Sequence, residues 1–201
     1  DPYYDEETKE ELLAIKDEKE IEDRFYKDLE FGTGGMRGII GAGTNRLNKY
    51  TVRKAAQGLA NFIKKQGQRD KGVVIAYDSR RCSYEFAMET ALVMAANNIK
   101  AFLFDELRPT PELSFAVRYL GCAAGVVITA SHNPKEYNGF KAYGSDGCQL
   151  PPKESDEVIK EVESIKTISE IGCMKKEEAL EQGLLEIVGK EIDDAYINAV
   201  K

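Results

Sequence analysis

The chain holds a single histidine, His132, and it stands beside Ser131 in the stretch Gly125–Gly147, GVVITASHNPKEYNGFKAYGSDG. Ser131, His132 and Asn133-Pro134 follow directly on an apolar run that reads as a buried strand. Two chemistries use a serine placed this way. Attack on an acyl group needs a general base and an orienting acid around the hydroxyl. The one histidine is adjacent in sequence, and the flanking residues do not form a Gly-x-Ser-x-Gly elbow, so the hydrolase reading is weak. The other chemistry is carriage of a phosphoryl group. Phosphoserine bears about −1.5 to −2 charges and three acceptor oxygens. It then wants cations, backbone amides or a metal close by.

Cations are present in the sequence. Arg37 follows Thr33, Gly34 and Gly35 in a glycine-rich loop whose amides can approach an anion closely. Lys141 lies ten residues after Ser131, on the strand beyond the EYNGF turn, from where it can point back. Each also has an ordinary reading, Arg37 as a solvated loop charge and Lys141 as a strand-edge lysine. The glycine loop does not fit a nucleotide motif. Gly32-x-Gly34 leads three residues later to Arg37, the loop follows a helical pattern, and no Gly-x-x-x-x-Gly-Lys-Ser/Thr occurs.

The elements that must position these residues show in the periodicity. Residues 5–30 are rich in charge, with Leu12, Leu13, Ile15, Ile21, Phe25 and Leu29 at helical intervals, and read as two short amphipathic helices. Six glycines between Phe31 and Thr51 make that stretch a loop with at most one short strand. Val52, Ala55, Ala56, Leu59, Ala60 and Ile63 mark a helix that stops near Gly67. GVVIAYDSR, IKAFLFD and AAGVVIT read as buried parallel strands, separated by helices through Phe86–Ala95 and Leu113–Leu120. FKAYGSDGCQL reads as a short strand, a Gly/Asp turn and a second extended piece. An acidic helix follows Pro151-Pro152 to about Ile165, then a second helical stretch, the apolar run LLEIV and a last helix, EIDDAYINAVK.

Alternating strands and helices imply βαβ units. The fold class is therefore α/β, a three-layer α/β/α arrangement on a mostly parallel, mixed sheet. In such sheets ligands gather at the carboxyl ends of the strands. Asp78-Ser79-Arg80-Arg81, Arg108-Pro109-Thr110 and Ser131-His132-Asn133 each follow a strand, so all three clusters are expected at one edge.

Composition bounds the rest. The chain has 201 residues, 42% of them hydrophobic, and a formal net charge of −7. A chain this long buries roughly 70% of its unfolded surface and needs no staples. The acidic balance argues against a nucleic-acid partner, and no apolar stretch is long enough for a membrane span. Cys82, Cys122, Cys148 and Cys173 show no Cys-x-x-Cys spacing and lie in or beside apolar runs, as buried free thiols of a cytoplasmic protein would. The start at Asp1 suggests trimming, and the end within a helical pattern suggests a fragment.

TASHNPKEYNGFK closely resembles the active-site serine loop of the α-D-phosphohexomutases. FGTGGMRG resembles that family's N-terminal loop and YDSR its first-strand ending; the three occur in the family's order and span most of the chain. LEFGTGGMRGIIGAGTNRLNKYTVRKAAQGLA looks most like the phosphoglucomutase branch that also holds phosphopentomutases. The resemblance implies an isomerase acting by intramolecular phosphotransfer between hexose 1-phosphate and 6-phosphate, with glucose the expected sugar. It implies that Ser131 carries the phosphoryl group and that a sugar bisphosphate forms and also activates. It implies that Mg²⁺ binds through the phosphate on Ser131, with its remaining ligands outside this chain. Arg37 and Lys141 match positions of proton transfer and phosphate contact, and His132 one beside the phosphoserine. Thr33, Gly34, Gly35 and Asn133 are the further phosphate-binding candidates. The family's metal loop, sugar loop and C-terminal phosphate loop are not in this sequence. The expected division is a helical extension at 1–30, the phosphoserine domain at 31–190, and from 191–201 a helix leading to the remaining domains of the same polypeptide. Alone, the piece is expected to be inactive. A rival reading is a non-catalytic module that binds sugar phosphates or other anions.

Overall fold

The structure is a computed structural model that describes residues 3–201. Six strands form one sheet: β1 (Gly35–Ile39), β2 (Val73–Tyr77), β3 (Ala101–Phe104), β4 (Ala124–Ile128), β5 (Tyr137–Gly144) and β6 (Leu185–Val188), in the order β1-β5-β4-β2-β3-β6. The pairs β4–β2, β2–β3 and β3–β6 are parallel, while β5 is antiparallel to both β4 and β1. A single strand therefore runs against the other five. The mixed α/β/α sheet expected from the sequence is present.

The helices divide between the two faces for a reason of handedness. The chain steps from β2 to β3 through α4 (Ser83–Ala96), then back past β2 to β4 through α5 (Thr110–Tyr119). Right-handed crossovers that move in opposite directions along a sheet place their helices on opposite faces. Accordingly α4 lies with α3 (Lys49–Lys65) and α6 (Pro152–Ser164) over Val73, Ile75, Val126, Ile128, Phe140 and Ala142. On the other face α5 and α8 (Lys190–Val200) cover Val74, Ala76, Val127 and Tyr143. Gly58 lets α3 and α6 touch; a Cβ there would lie 2.9 Å from the Val162 backbone nitrogen. The short α7 (Lys176–Glu181) leads into β6.

Several boundaries differ from the sequence reading. Helix α3 begins at Lys49, three residues before the apolar stripe, because Asn48 and Thr51 form a capping box. EYNGF is no turn: Tyr137 opens β5, and the reversal lies in residues 129–136. Beyond β5 only an isolated bridge, Tyr143 to Gln149, represents the second extended piece. All four cysteines are free, but only Cys122 is buried; Cys148 and Cys173 are exposed because both lie in connections outside the sheet and helices. The two amphipathic helices form as α1 (Glu6–Ala14) and α2 (Glu18–Phe25), yet neither buries a side chain. Polar contacts hold them. Arg24 reaches Glu11, Glu20 and the Ala42 carbonyl, Arg46 pairs with Asp23 at 2.5 Å, and Lys49 pairs with Asp5.

Helix α8 is clamped by a charged knot. Arg108 forks onto the Asp193 carboxylate at 2.7 and 2.8 Å. Glu112 is buried beside them, with Oε1 lacking a hydrogen-bond partner. Burial, then the adjacent Asp193, push the Glu112 carboxyl up to about 7, while the Arg108 hydrogen bond holds Asp193 below the usual range. Between the ordinary glutamate range and that value the folded chain keeps a proton that the unfolded chain has released, so stability falls as pH rises through the window. Glu112→Gln stays neutral and can still donate to Asp193. Thermal unfolding followed by circular dichroism should find it more stable than the parent at pH 8, with the difference shrinking toward pH 5. A pH-independent difference would refute this account.

Candidate active site

Ser131 begins three residues past the end of β4, and its backbone turns left-handed with φ of 54°. Non-glycine residues are uncommon in that region. Its amide donates to Thr129 Oγ1 at 3.2 Å, and its side chain lies at the surface. Lys141 sits on β5, where it pairs with Val127 of β4 on one side and Gly35 of β1 on the other. That register returns its ammonium to the loop, and Nζ donates to Ser131 Oγ at 2.5 Å. Gly139, two residues earlier, is squeezed between strands; a Cβ there would lie 2.7 Å from both the Met36 and Thr129 carbonyl oxygens.

Arg37 stands on β1 opposite Gly139 and is exposed, its Nη1 3.5 Å from Asn133 Oδ1. It shares with Lys141 the outer face of β1 and β5, the part of the sheet that α5 and α8 leave uncovered. A hollow of about 570 Å³ opens on that face, bounded by Arg37, Lys141, Tyr137, Tyr26, Asn45 and Arg46. Pockets of this size suit small ligands. Burial, then the charge of Arg37, lower the pKa of Lys141, and Asp78 partly opposes this. A lysine so placed releases its proton more readily than a surface lysine and can exchange one with a bound hydroxyl.

The glycine loop is organised differently from the expectation. The Gly34 amide donates to Ser155 Oγ at 2.6 Å and the Gly35 amide to the Gly32 carbonyl at 3.2 Å. Ser155 is buried at the start of α6 and also donates to the Gly32 carbonyl, and Gln149 holds the Thr33 carbonyl at 3.1 Å. The amides of Gly34 and Gly35 are thus committed inside the turn and do not face an anion in this conformation. Their role is to shape the bend that enters β1, since both have positive φ. Thr33 remains exposed at the bend. His132 is exposed too and makes no hydrogen bond among the described residues.

Of the three strand-end clusters, the structure joins two. Arg80 reaches the backbone carbonyls of the serine loop. Arg108 turns instead to Asp193 and Asp105. A supporting shell escaped the sequence reading. Asp78 accepts from Ser83 Oγ at 2.8 Å, and the fully buried Asn138 donates to Ser83 Oγ and to the Arg81 carbonyl. An amide inside a strand is the one signal that could have exposed it, because a buried polar side chain must find partners.

A hard divalent cation takes several oxygen ligands at once. Around Ser131 the chain offers mostly cations, and no group of three or more His, Cys, Asp or Glu among the described residues could hold a metal. These residues therefore do not by themselves fit Mg²⁺.

A lysine-paired serine at the end of a central strand, in a mixed α/β/α sheet, defines an α/β domain with a candidate phosphoryl-carrying site. Residues 28–169 match the sequence pattern described as phosphoglucomutase/phosphomannomutase, alpha/beta/alpha domain I. The chain belongs to the phosphoglucomutase/phosphomannomutase family, as that domain. A phosphoglucomutase from Staphylococcus haemolyticus is 41% identical over 179 residues, covering 89% of this chain and 32% of that protein. One from Staphylococcus aureus is 49% identical over 146 residues, covering 73% of this chain and 26% of that protein. The solved open form of parafusin (phosphoglucomutase) from Paramecium shares the fold, with a TM-score of 0.65 at 20% identity over 81% of this chain and 33% of that one. The chain thus spans about a third of the length of these relatives.

The electrostatics of Lys141 can be read directly. With lysines reductively methylated with ¹³C, the Lys141 resonance should titrate below the ordinary lysine range. Arg37→Ala should move that titration up, because it removes a neighbouring like charge. A Lys141 titration indistinguishable from surface lysines, or unmoved by Arg37→Ala, would remove the electrostatic link between the two.

Proposed function

We propose that this chain is the nucleophile-bearing domain of a phosphosugar mutase that interconverts hexose 1-phosphate and 6-phosphate. The observation that carries the reading is the 2.5 Å contact between Lys141 Nζ and the Oγ of a serine held in a left-handed turn. Phosphoserine passes its phosphoryl group to a sugar monophosphate: the Ser131 Oγ–P bond breaks, a sugar O–P bond forms, and a bisphosphate results. The sugar hydroxyl gives up a proton as it attacks, and Lys141 lies where the serine oxygen that regains one emerges. The bisphosphate then returns its other phosphate to Ser131. Phosphoryl transfer asks the protein mainly for positioning and charge neutralisation, and Arg37 and Lys141 supply positive charge on the open face. Asn133 Oδ1 orients Arg37, and His132 and Thr33 flank the transferring group.

Glucose is the sugar we assign, because the staphylococcal relatives are named phosphoglucomutases. Mg²⁺ draws its protein ligands from elsewhere in the polypeptide, and a sugar bisphosphate serves as activator. We divide the chain into a helical extension at 1–30, the phosphoserine domain at 31–190 and a connecting helix from 191–201. The partners are small sugar phosphates and the remaining domains. No helix among the described residues is long and apolar enough to cross a membrane, and with four free thiols we assign the cytoplasm.

Incubating the full polypeptide with ³²P-labelled glucose 1,6-bisphosphate, followed by peptide mapping, should place stoichiometric label on Ser131, with none in Ser131→Ala. Arg37→Ala and Lys141→Ala should each lower turnover about 10²-fold or more while leaving the fold intact. Phosphate binding without label on Ser131 would instead make the chain an anion-binding module.

A further inference from the structure

The carbonyl oxygens of Ser131, Asn133, Pro134 and Tyr137 converge on one spot inside the serine loop. Carbonyl dipoles aimed at a common centre repel, and a left-handed backbone at a non-glycine residue persists only where its surroundings over-determine it. The centre is occupied by the Arg80 guanidinium. Its Nη1 donates to Pro134 at 2.9 Å and Tyr137 at 3.0 Å, and its Nη2 to Ser131 at 2.9 Å and Asn133 at 2.7 Å. Nε faces Asp78 Oδ2 at 3.5 Å.

We infer that Arg80 is a positioning residue for phosphoryl transfer, fixing the left-handed turn that presents Ser131 Oγ to Lys141. This rests on the mutase reading above. An arginine beside a phosphoryl site would ordinarily be read as a phosphate ligand. Here four donors are spent on carbonyls and the fifth faces a carboxylate, so no N–H remains for a phosphate. One of the four carbonyls belongs to Ser131 itself, so the clamp sets the peptide plane that follows the nucleophile. Beneath it, Asp78 accepts from the Arg80 amide at 2.9 Å and from Ser83. The guanidinium is thereby anchored to the end of β2 while it grips the loop after β4. A lysine cannot substitute, because three donors radiating from one nitrogen cannot span two pairs of carbonyls.

The test uses Arg80→Ala and Arg80→Lys in the full polypeptide, with kinetics, circular dichroism and hydrogen–deuterium exchange. Displacing a reacting group by about an ångström costs on the order of 10²-fold. We expect kcat to fall by about that factor in Arg80→Ala, with KM near the parent value. Arg80→Lys should recover little of it, and millimolar free guanidinium should restore part of the turnover of Arg80→Ala where ammonium does not. Amides in residues 129–138 should exchange about tenfold faster in both variants, with exchange elsewhere unchanged. Parent-like kcat in Arg80→Ala, full recovery in Arg80→Lys, a raised KM at unchanged kcat, or unaltered exchange in that segment would each overturn the inference. Should Arg80→Ala fail to fold, Arg80→Lys carries the same comparison. A parent without turnover would refute the mutase reading, and the exchange comparison would still decide the clamp.

Discussion

The site depends on one reversal of chain direction. Every strand but β5 runs the same way, and β5 lies between β4 and β1. Because β4 and β5 are antiparallel, residues after the end of β4 fold back on themselves, and a lysine ten positions beyond the serine returns to it at 2.5 Å. A parallel connection would have needed a crossover of a dozen residues or more before the strand could pair with β4. The same strand then offers its other edge to β1, which places Arg37 two positions along from the Lys141 pairing. One strand orientation thus sets the mutual placement of Ser131, Lys141 and Arg37.

The reversal leaves a tight loop whose backbone does not sit comfortably. Left-handed φ at a non-glycine residue costs of order 1–3 kcal/mol, and Ser131 has no glycine's freedom to avoid it. The neighbourhood supplies compensation in polar form. Thr129 takes the serine amide, and the Asp78, Ser83 and Asn138 chain braces the loop from beneath. Locally the site is cationic although the chain as a whole carries −7. Burial and then the neighbouring charge of Arg37 both disfavour a protonated lysine here, and the pKa of Lys141 is lowered accordingly.

Much of this was legible in the sequence, and the unread part has physical reasons. Continuous apolar runs such as VVIAY and the stripe from Val52 to Ile63 marked β2 and α3, because burial on both faces or on one leaves a direct imprint on residue type. Ser131, Lys141 and Arg37 stood out because their types stay unexplained by burial. The start of β5 did not. Tyr137-Asn138-Gly139 looks like a turn, yet Asn138 is fully buried by its bonds to Ser83 and Arg81, and Gly139 is there because two backbones close on it. Such roles are set by partners far away in sequence, which local propensity cannot see. The Gly34 and Gly35 amides illustrate the same limit. A glycine-rich loop invites an anion, but Ser155, more than a hundred positions later, takes the first of them.

The uncovered half of the sheet gives the arrangement its functional sense. Helices α5 and α8 close one face over β2, β4 and part of β5 and stop short of β1. An exposed face of a mixed sheet commonly carries polar residues, and this one carries Arg37 and Lys141 beside the partly exposed Ile39. Charge there meets the solvent-facing requirement of the fold and makes the same face locally cationic. The opposite face, under α3, α4 and α6, is largely apolar, with Asn138 a buried polar exception that bonds to Ser83. Positioning of the kind that phosphoryl transfer needs is more accurate from strands than from loops. That is why two of the three key groups stand on β1 and β5, while the third, in a loop, is braced by polar contacts on several sides. A chain spanning about a third of its relatives' length thus brings Ser131, Lys141 and Arg37 together within one domain, on a face that its own helices leave open.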